Sequence, residues 1–562
     1  MSTNMKEIEF PSASYEQWKE EAIKALKGKP FDSLFSKTIE GVTLDPLYTQ
    51  ASLTEKLGEQ LDKQVATIRT LKTTDTFEVA QQIYGDSQEE FIANLEDSLA
   101  RGNEIITIDS RVAFEWNDSI LNKIADYLTE YSFKLIVTDG NDPLLKALSK
   151  IEDSKKAGVE GFIVAEKAVT LPDFPKVRTL IGNTVKYHNQ GANAVQELAI
   201  ALAEASRIAK QVESYEALAA KFFVNFAIDT QFFMEIAKLR AFKVLWKAFS
   251  QGLGAEAIAV PVVAETSVRS FSKLDVYVNL LRAGNEAFAG VIGGADVFTV
   301  HPHDVLTKPT DQSIRIARNV LLVTNEESHV LNVVDPSGGS YFIESLTADL
   351  VKEAWALFIE IEDAGGLEAY DISKKIDEIY AIREKEVQTR KNSLIGTNIY
   401  ANPTDEIPME ENVQFADVKR LAIPFENLRR DFAQIDAKIA ILTFGELKNY
   451  KARADFVAGF FATAGVEAAQ SGVLETVDAA QAWLTNTDFD YVVIAANDED
   501  TKTVVPALLK AKRASQLLDV AGKYKEEEAD WTANGLNGFI FAGQNIIEKL
   551  NVVTASMKEV QR

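Results

Sequence analysis

The chain of 562 residues is too long to form a single hydrophobic core, so two or more domains are expected. Its formal net charge of −25 repels nucleic-acid phosphates and anionic membranes, which argues against both as partners. The absence of cysteine excludes disulfides, thiolate metal sites and cysteine nucleophiles. The N-terminal stretch has no targeting signal and no apolar run is long enough to span a bilayer, so we expect a cytoplasmic protein.

Residues 1–100 are predicted to form an N-terminal arm, with helices around Tyr15–Leu26 and Ser87–Ala100. The arm begins with large apolar side chains that precede every predicted barrel strand. Because so little of the chain is available there to bury them, we expect a partner protein to cover them. These side chains are Phe10, Tyr15, Trp18 and Leu26.

Residues 101–384 alternate short β-rich runs with helical stretches, which is the pattern of a parallel sheet covered by helices. Eight such runs predict an α/β fold of the (β/α)8 TIM-barrel type. The predicted strands lie at 104–110, 134–140, 161–167, 177–187, 222–229, 258–266, 296–301 and 331–335.

Polar residues lie at or near the ends of these runs. In a (β/α)8 barrel the carboxyl ends of the strands form the mouth that carries the chemistry. For most of these residues, a polar cap of the strand end or of the following helix is the simpler interpretation. His301 and His303 have no obvious third ligand on a neighbouring strand, so no metal site is predicted. The residues expected at the mouth are Asp109, Asp139, Glu166, His188, Asp229, Glu265, His301 and Asp335.

Residues 385–436 are predicted to be a linker, because Ser393–Gln414 is rich in Gly, Pro and Asn and weakly periodic. Residues 437–562 again alternate strands and helices, which predicts a flavodoxin-like domain of five strands. These strands are expected at 438–444, 466–473, 491–498, 515–522 and 537–543.

Several sequence blocks match one protein family in order and spacing. They include TIEGVTLDPLYT at Thr38–Thr49, DVYVNLLRAGNEAFAGVIGGAD at 275–296 and, most specifically, DPSGGSY at Asp335–Tyr341. The chain thus resembles the methylmalonyl-CoA mutase family over nearly its whole length. The resemblance implies a barrel followed by a cobalamin-binding domain, and an enzyme that interconverts (R)-methylmalonyl-CoA and succinyl-CoA through adenosylcobalamin.

This family contains catalytic chains and non-catalytic small subunits that pair with them, and the chain resembles the small subunits. The R-P-W-T clamp of catalytic chains is missing from residues 71–102. Val297 and Phe298 stand where catalytic chains have polar groups that touch cofactor and thioester. Three phenylalanines on one strand further predict a barrel filled by side chains rather than threaded by a pantetheine arm. They are Phe222, Phe223 and Phe226.

The family's cobalamin domain has a D-x-H-x-x-G turn whose histidine binds cobalt. Counting back from Gly465 places Lys448, Tyr450 and Arg453 at the Asp, His and Gly positions. Tyrosine has no ring nitrogen, lysine cannot accept the imidazole N–H, and arginine crowds a place that needs bare backbone. The resemblance therefore implies a degenerate domain that binds no cobalamin, with adenosylcobalamin in a homologous large subunit that forms a heterodimer with this chain.

Tyr187 and His188 match the Y-H pair with which catalytic chains hold the thioester carbonyl. They would be the site residues if this chain were active, and otherwise His188 is a structural residue that hydrogen-bonds inside the mouth. Two alternative functions are a cobalamin-free acyl-CoA isomerase or lyase that uses His188, and a self-paired scaffold that holds acyl-CoA or a mutase chaperone. We expect the chain itself to contain no catalytic, cofactor-binding or metal-binding residue.

Overall fold

The computed structural model describes residues 13–74, 76–436 and 438–560. An N-terminal segment precedes a parallel barrel, and a second parallel sheet follows it. Phe10 lies outside the described residues. The elements before the barrel are α1 (Tyr15–Ala25), β1 (Ser36–Lys37), β2 (Thr43–Leu44), α2 (Gln50–Leu57) and α3 (Gln60–Thr70).

The barrel region alternates strands with the helices that cover them, as the sequence predicts. Its strands are β3 (Glu78–Gln82), β4 (Ile105–Asp109), β5 (Ser132–Val137), β6 (Gly161–Ala165), β7 (Val177–Arg178), β8 (Leu180–Asn183), β9 (Phe222–Ile228), β10 (Val262–Thr266) and β11 (Val297–Thr299). Its helices are α4 (Gln88–Ala100), α5 (Asp118–Glu130), α6 (Lys146–Ser149), α7 (Asp153–Lys156), α8 (Val185–Gln190), α9 (Ala194–Ala209), α10 (Tyr215–Lys221), α11 (Phe232–Gly252), α12 (Val278–Gly293), α13 (Asp311–Ser328), α14 (Tyr341–Asp363) and α15 (Ile372–Gln388).

The nine strands form a nearly closed barrel of the TIM type, which confirms the predicted fold. Their order is β7-β6-β5-β4-β3-β11-β10-β9-β8, and all pairs are parallel. The two terminal strands, β7 and β8, are not hydrogen-bonded to each other. The run 177–187 was predicted as one strand, but it divides between two partners: β7 pairs with β6, and β8 pairs with β9.

Two strand assignments made from the sequence are wrong. The barrel begins at β3, inside the segment predicted as an arm, and not at residue 101. The strand is hard to recognise from the sequence because it contains the consecutive polar residues Gln81 and Gln82. Both side chains are nevertheless buried and hydrogen-bonded. The predicted strand at 331–335 is instead a short 3-10 turn and a loop, in which Val333 and Val334 are about half exposed.

The phenylalanines of β9 do not all face the barrel axis, because successive side chains of a strand point to opposite faces. Phe223 lies inside the barrel against Phe162, with ring centroids 5.1 Å apart. Phe222 points outward and stacks on Trp246 at 5.2 Å, and Phe226 also points outward. Only one of the three therefore fills the interior as predicted.

The replacement residues of β11 divide in the same way. Val297 lies inside the barrel with Phe223, whereas Phe298 packs in the helix layer outside. A Cβ at Gly290 of α12 would collide with the Phe298 ring, so this position requires glycine.

The C-terminal domain is a five-stranded parallel sheet in the order β13-β12-β14-β15-β16, which confirms the flavodoxin-like prediction. Its elements, after the connecting helix α16 (Ile423–Phe432), are β12 (Ile439–Phe444), α17 (Leu447–Ala462), β13 (Ala469–Leu474), α18 (Val477–Asn486), β14 (Tyr491–Ala495), α19 (Asp498–Ala511), β15 (Leu517–Ala521), α20 (Glu528–Ala533), β16 (Gly538–Ile540) and α21 (Ile546–Val560).

The connection between barrel and sheet is anchored to the C-terminal domain. Phe425 and Leu428 of α16 are buried in the same apolar core as Ile441 of β12. The Arg390 guanidinium donates to the carbonyls of Asn398 and Gly459, each at 2.7 Å. Among the helices that the structure describes, none is both long and apolar enough to cross a membrane.

Candidate functional site

A cavity of about 750 Å³ lies at the carboxyl ends of the barrel strands, and we call it the mouth cavity. This is the position at which barrels of this type carry their sites. Of the residues predicted to surround the mouth, four line the cavity, and they are Asp109, Glu166, Glu265 and His301.

The other predicted mouth residues lie elsewhere. Asp139 is 3.9 Å from Lys167 and does not line the cavity. Asp229 is buried and receives hydrogen bonds from the Arg269 guanidinium and the Ser270 hydroxyl. Asp335 pairs with Arg240 on the outer side of the barrel, since the predicted strand that would have carried it to the mouth does not form.

The floor of the mouth cavity is charged but internally paired. The Lys134 ammonium donates to Glu265 Oε2 at 3.3 Å and to the Thr299 hydroxyl at 2.9 Å. Burial alone would raise the pKa of Glu265, but the Lys134 charge and the hydrogen bond from His301 lower it to about 2. Glu265 is therefore a carboxylate at neutral pH, held by groups of the same barrel.

The barrel axis beneath this floor is filled with apolar side chains. Ile105, Phe162, Phe223, Val263 and Val297 are buried together in one cluster. Close packing of this kind leaves no room for a linear group along the axis.

His188 is completely buried and both of its ring nitrogens have protein partners. Nδ1 lies 2.8 Å from Glu197 Oε1, and Nε2 lies 2.7 Å from the Ser267 hydroxyl. We assign the proton to Nδ1, which donates to the carboxylate, so that Nε2 accepts from Ser267. Burial and the nearby Arg269 charge lower the pKa of His188 to about 4, despite Glu197. The imidazole is therefore neutral at physiological pH.

The partners of His188 belong to a buried ionic network that ties the barrel helices together. Lys238 of α11 contacts Glu197 of α9 at 3.0 Å and Glu235 at 2.6 Å. The Arg269 guanidinium donates to the carbonyls of His188 and Ala192. These contacts fit the structural interpretation of His188.

Tyr187 is the member of the Y-H pair that reaches the mouth cavity. Its ring is partly buried, which raises its pKa, and it lines the cavity beneath the ammonium of Lys186. His188 does not line the cavity. The structure therefore separates the two residues that the sequence placed in one site.

The residues at the cobalt-ligand positions do not form a turn. They lie within the first two turns of α17, which begins at Leu447. Lys448 is exposed and pairs with Glu446 at 2.6 Å, whereas Tyr450 is buried in the core of the sheet domain. Arg453 donates to the carbonyl of Ala496 at 2.6 Å. The three side chains thus lie in three different environments, and none of them carries an imidazole nitrogen.

A cluster of polar side chains that was not predicted from the sequence covers the edge of the sheet at which α17 begins. Arg453 contacts Asp498 and the hydroxyl of Tyr524, and that hydroxyl donates to Asp498 at 3.0 Å. Tyr524 is buried, although the charged sequence around it suggests a solvated helix face. The only hint in the sequence is an aromatic residue within a run of charges.

Comparisons with known proteins point in one direction. The family model described as Methylmalonyl-CoA mutase matches residues 162–470. The chain is 30% identical to the methylmalonyl-CoA mutase small subunit of Porphyromonas gingivalis, over 96% of this chain and 97% of that protein. It is 25% identical to the small subunit of Propionibacterium freudenreichii subsp. shermanii, over 97% and 94% of the two chains. It is 27% identical to the methylmalonyl-CoA mutase of Escherichia coli K12, over 78% and 71%.

Proposed function

The chain belongs to the methylmalonyl-CoA mutase family, and we propose that it is a non-catalytic small subunit. In this role it supports a homologous catalytic chain, which interconverts (R)-methylmalonyl-CoA and succinyl-CoA, in a cytoplasmic heterodimer. The observation that carries the proposal is the position of Tyr450, which occupies the cobalt-ligand position but is buried within α17.

The cobalamin-type domain does not fit its family cofactor. A corrin needs an axial nitrogen and open backbone beside it, but this edge carries helix α17 and the side chains of Arg453, Asp498 and Tyr524. We therefore assign adenosylcobalamin to the partner chain and no cofactor to this one.

The barrel supports the same proposal. Its axis is filled at Phe162 and Phe223, so a pantetheine arm has no axial path to the mouth. The extent of the sequence similarity also supports the proposal, because relatives named as small subunits in Porphyromonas and Propionibacterium align with this chain over nearly the whole of both chains.

The alternative of a cobalamin-free isomerase that uses His188 is not favoured. A general base must reach the proton that it removes, but both ring nitrogens of His188 are occupied by Glu197 and Ser267. His188 also does not line the mouth cavity.

Co-purification tests the proposal directly. A tagged chain expressed with its homologous catalytic partner should yield a complex with mutase activity, and the mass of the complex gives the stoichiometry. The purified chain alone should show neither mutase activity nor binding of adenosylcobalamin in equilibrium dialysis. Micromolar or tighter binding to the isolated chain would overturn the cofactor assignment, and a fully active isolated chain would overturn the proposed role.

A further inference from the structure

The barrel wall is open on one side, between β6 and β8. The chain pairs with β6 only at Val177 and Arg178, and then crosses to pair with β9 from Leu180 onward. Above Phe162, the edge of β6 that faces β8 therefore has no strand partner among the described residues.

The lower part of this opening is closed by side chains. Arg178 donates to the carbonyls of Ala219 and Phe222 at 2.8 and 2.7 Å. Lys221 donates to the carbonyls of Phe174 and Val177, which anchors the loop that follows β6. The gap is thus confined to the carboxyl half of the barrel wall, and these hydrogen bonds fix the loop beside it.

This gap contains a cavity of about 780 Å³, which we call the seam cavity. Small-molecule sites typically occupy roughly 300–1,000 Å³ and are lined mainly by apolar side chains. About half of the residues that line the seam cavity are apolar, and they come mainly from the loop after β6 on one side and from β8, α9, α10 and their connection on the other. These residues are Ala168, Val169, Leu171, Pro172, Leu180, Ile181, Ile208, Val212 and Ala217.

One cation stands where the seam cavity meets the mouth cavity. Lys186 lines both cavities, and its ammonium lies 4.8 Å from the centre of the Tyr187 ring. It forms no ion pair with any carboxylate of the described residues. The other basic residues of the seam cavity are engaged: Arg207 with Glu204, Lys167 near Asp139, and Lys221 with backbone carbonyls.

We propose that the seam cavity binds a medium-chain linear carboxylate, with the alkyl chain between β6 and β8 and the carboxylate at Lys186. The apolar part of the lining removes the alkyl chain from water, and the Lys186 ammonium, which has no carboxylate partner among the described residues, supplies a charge-assisted hydrogen bond. Lys186 is exposed, but the Tyr187 ring positions its ammonium. The exposed carboxylates of Glu166 and Glu213 make no contact with the described residues that would orient them, so the positioned charge is positive. This inference is independent of the proposed subunit role.

Decanoate binding to the full-length chain, measured by isothermal titration calorimetry, tests the proposal. We expect saturable one-to-one binding. The variant Ala217→Trp, at an exposed lining position, should weaken it at least about tenfold, because the indole takes the volume of several methylenes. Ala220→Trp is the matched control, since Ala220 is exposed on the same helix and does not line the cavity.

The position of the carboxylate is tested separately. Lys186→Gln should weaken decanoate about tenfold but leave decanol binding unchanged, because only the charged headgroup loses a partner. Lys123→Gln, an exposed lysine on α5, is the control. Absence of saturable decanoate binding up to about 1 mM, or equal losses in the two tryptophan variants, would overturn the proposal. Equal affinity of the Lys186→Gln variant and the unmodified chain for decanoate would also overturn it.

Discussion

The burial of His188 supports the proposal that this histidine is a structural residue and not a catalytic one. Its neutral imidazole links α8 to Glu197 of α9 and to Ser267 after β10. In the proposed complex, we expect His188→Ala to change mutase turnover by no more than about threefold, which is under 1 kcal/mol of barrier. Steady-state kinetics of the intact complex measures this. A hundredfold loss with assembly preserved would instead place His188 in the chemistry.

The same histidine should make stability depend on pH. Its pKa falls from 6.5 to about 4 on folding, so its contribution to stability is complete above pH 6.5 and is lost as the pH falls towards 4. The loss is on the order of 3 kcal/mol. The free energy of unfolding in urea should fall between pH 7 and pH 4 in the unmodified chain, and its slope against pH should be shallower in His188→Gln. Identical slopes would contradict the lowered pKa.

Glu286 is a buried carboxyl group with no side-chain partner for either oxygen. Burial, followed by the nearby Asp229 charge, raises its pKa well above the usual value, so the group is protonated in the folded state. Folding then becomes less favourable as the pH rises from the unfolded pKa, about 4.5, towards the folded one. Glu286→Gln should remove this cost. The free energy of unfolding of this variant in urea should therefore exceed that of the unmodified chain by an amount that grows from pH 5 to pH 8. A constant difference would argue against this protonation state.

At the scale of elements, the proposal that this chain holds no cofactor rests on the helical structure of α17. A family-type ligand would have to project from a turn, but Tyr450 projects from a helix into the domain core. Restoring the ligand motif by side chain alone should therefore fail.

The triple variant Lys448→Asp, Tyr450→His and Arg453→Gly tests this expectation. It should bind no adenosylcobalamin at micromolar concentration in equilibrium dialysis. Loss of the buried tyrosine should cost the domain roughly 3 kcal/mol in stability. Lys448→Asp alone, at an exposed position, should leave stability almost unchanged. Tight binding with a change in the cobalamin spectrum would show that side chains alone govern the site.

At the scale of the whole molecule, the N-terminal helix α1 leaves its apolar side chains incompletely covered. No residue of α1 is buried against the described chain, and Tyr15 and Ile23 are 39% and 46% exposed. Trp18 and Leu26 are only partly covered. A helix of this kind is poorly stable alone, and its apolar face suits a homologous chain in an obligate interface of roughly 2,000 Å² or more.

Deletion of residues 1–30 should therefore weaken the proposed heterodimer and lower the thermal stability of both chains. Size-exclusion chromatography with mass detection measures the first effect, and circular dichroism of the truncated chain verifies that the barrel still folds. Co-elution of the truncated chain with its partner at nanomolar concentration would contradict this role of the arm.

Local sequence determined the larger architecture, and the family resemblance drew attention to Tyr450. Apolar runs separated by helical stretches suffice for a parallel barrel and a flavodoxin-like sheet, because side-chain periodicity reflects which face of each element is buried. The family resemblance places Tyr450 at the position of the cobalt-binding histidine, and its lack of a ring nitrogen then predicts a poor ligand. The strand at β3 was missed because Gln81 and Gln82 are buried by partners far away in the chain.

Only the tertiary structure decided which groups share an environment. Lys134 and Glu265 are 131 residues apart in sequence, and His188 and Ser267 are 79 apart, yet these contacts pair the charge of Glu265 at the mouth and engage Nε2 of the histidine. The opening between β6 and β8 also depends on a change of strand partner that no local pattern marks. Burial and electrostatics arise from such long-range contacts, so residue spacing alone does not determine them.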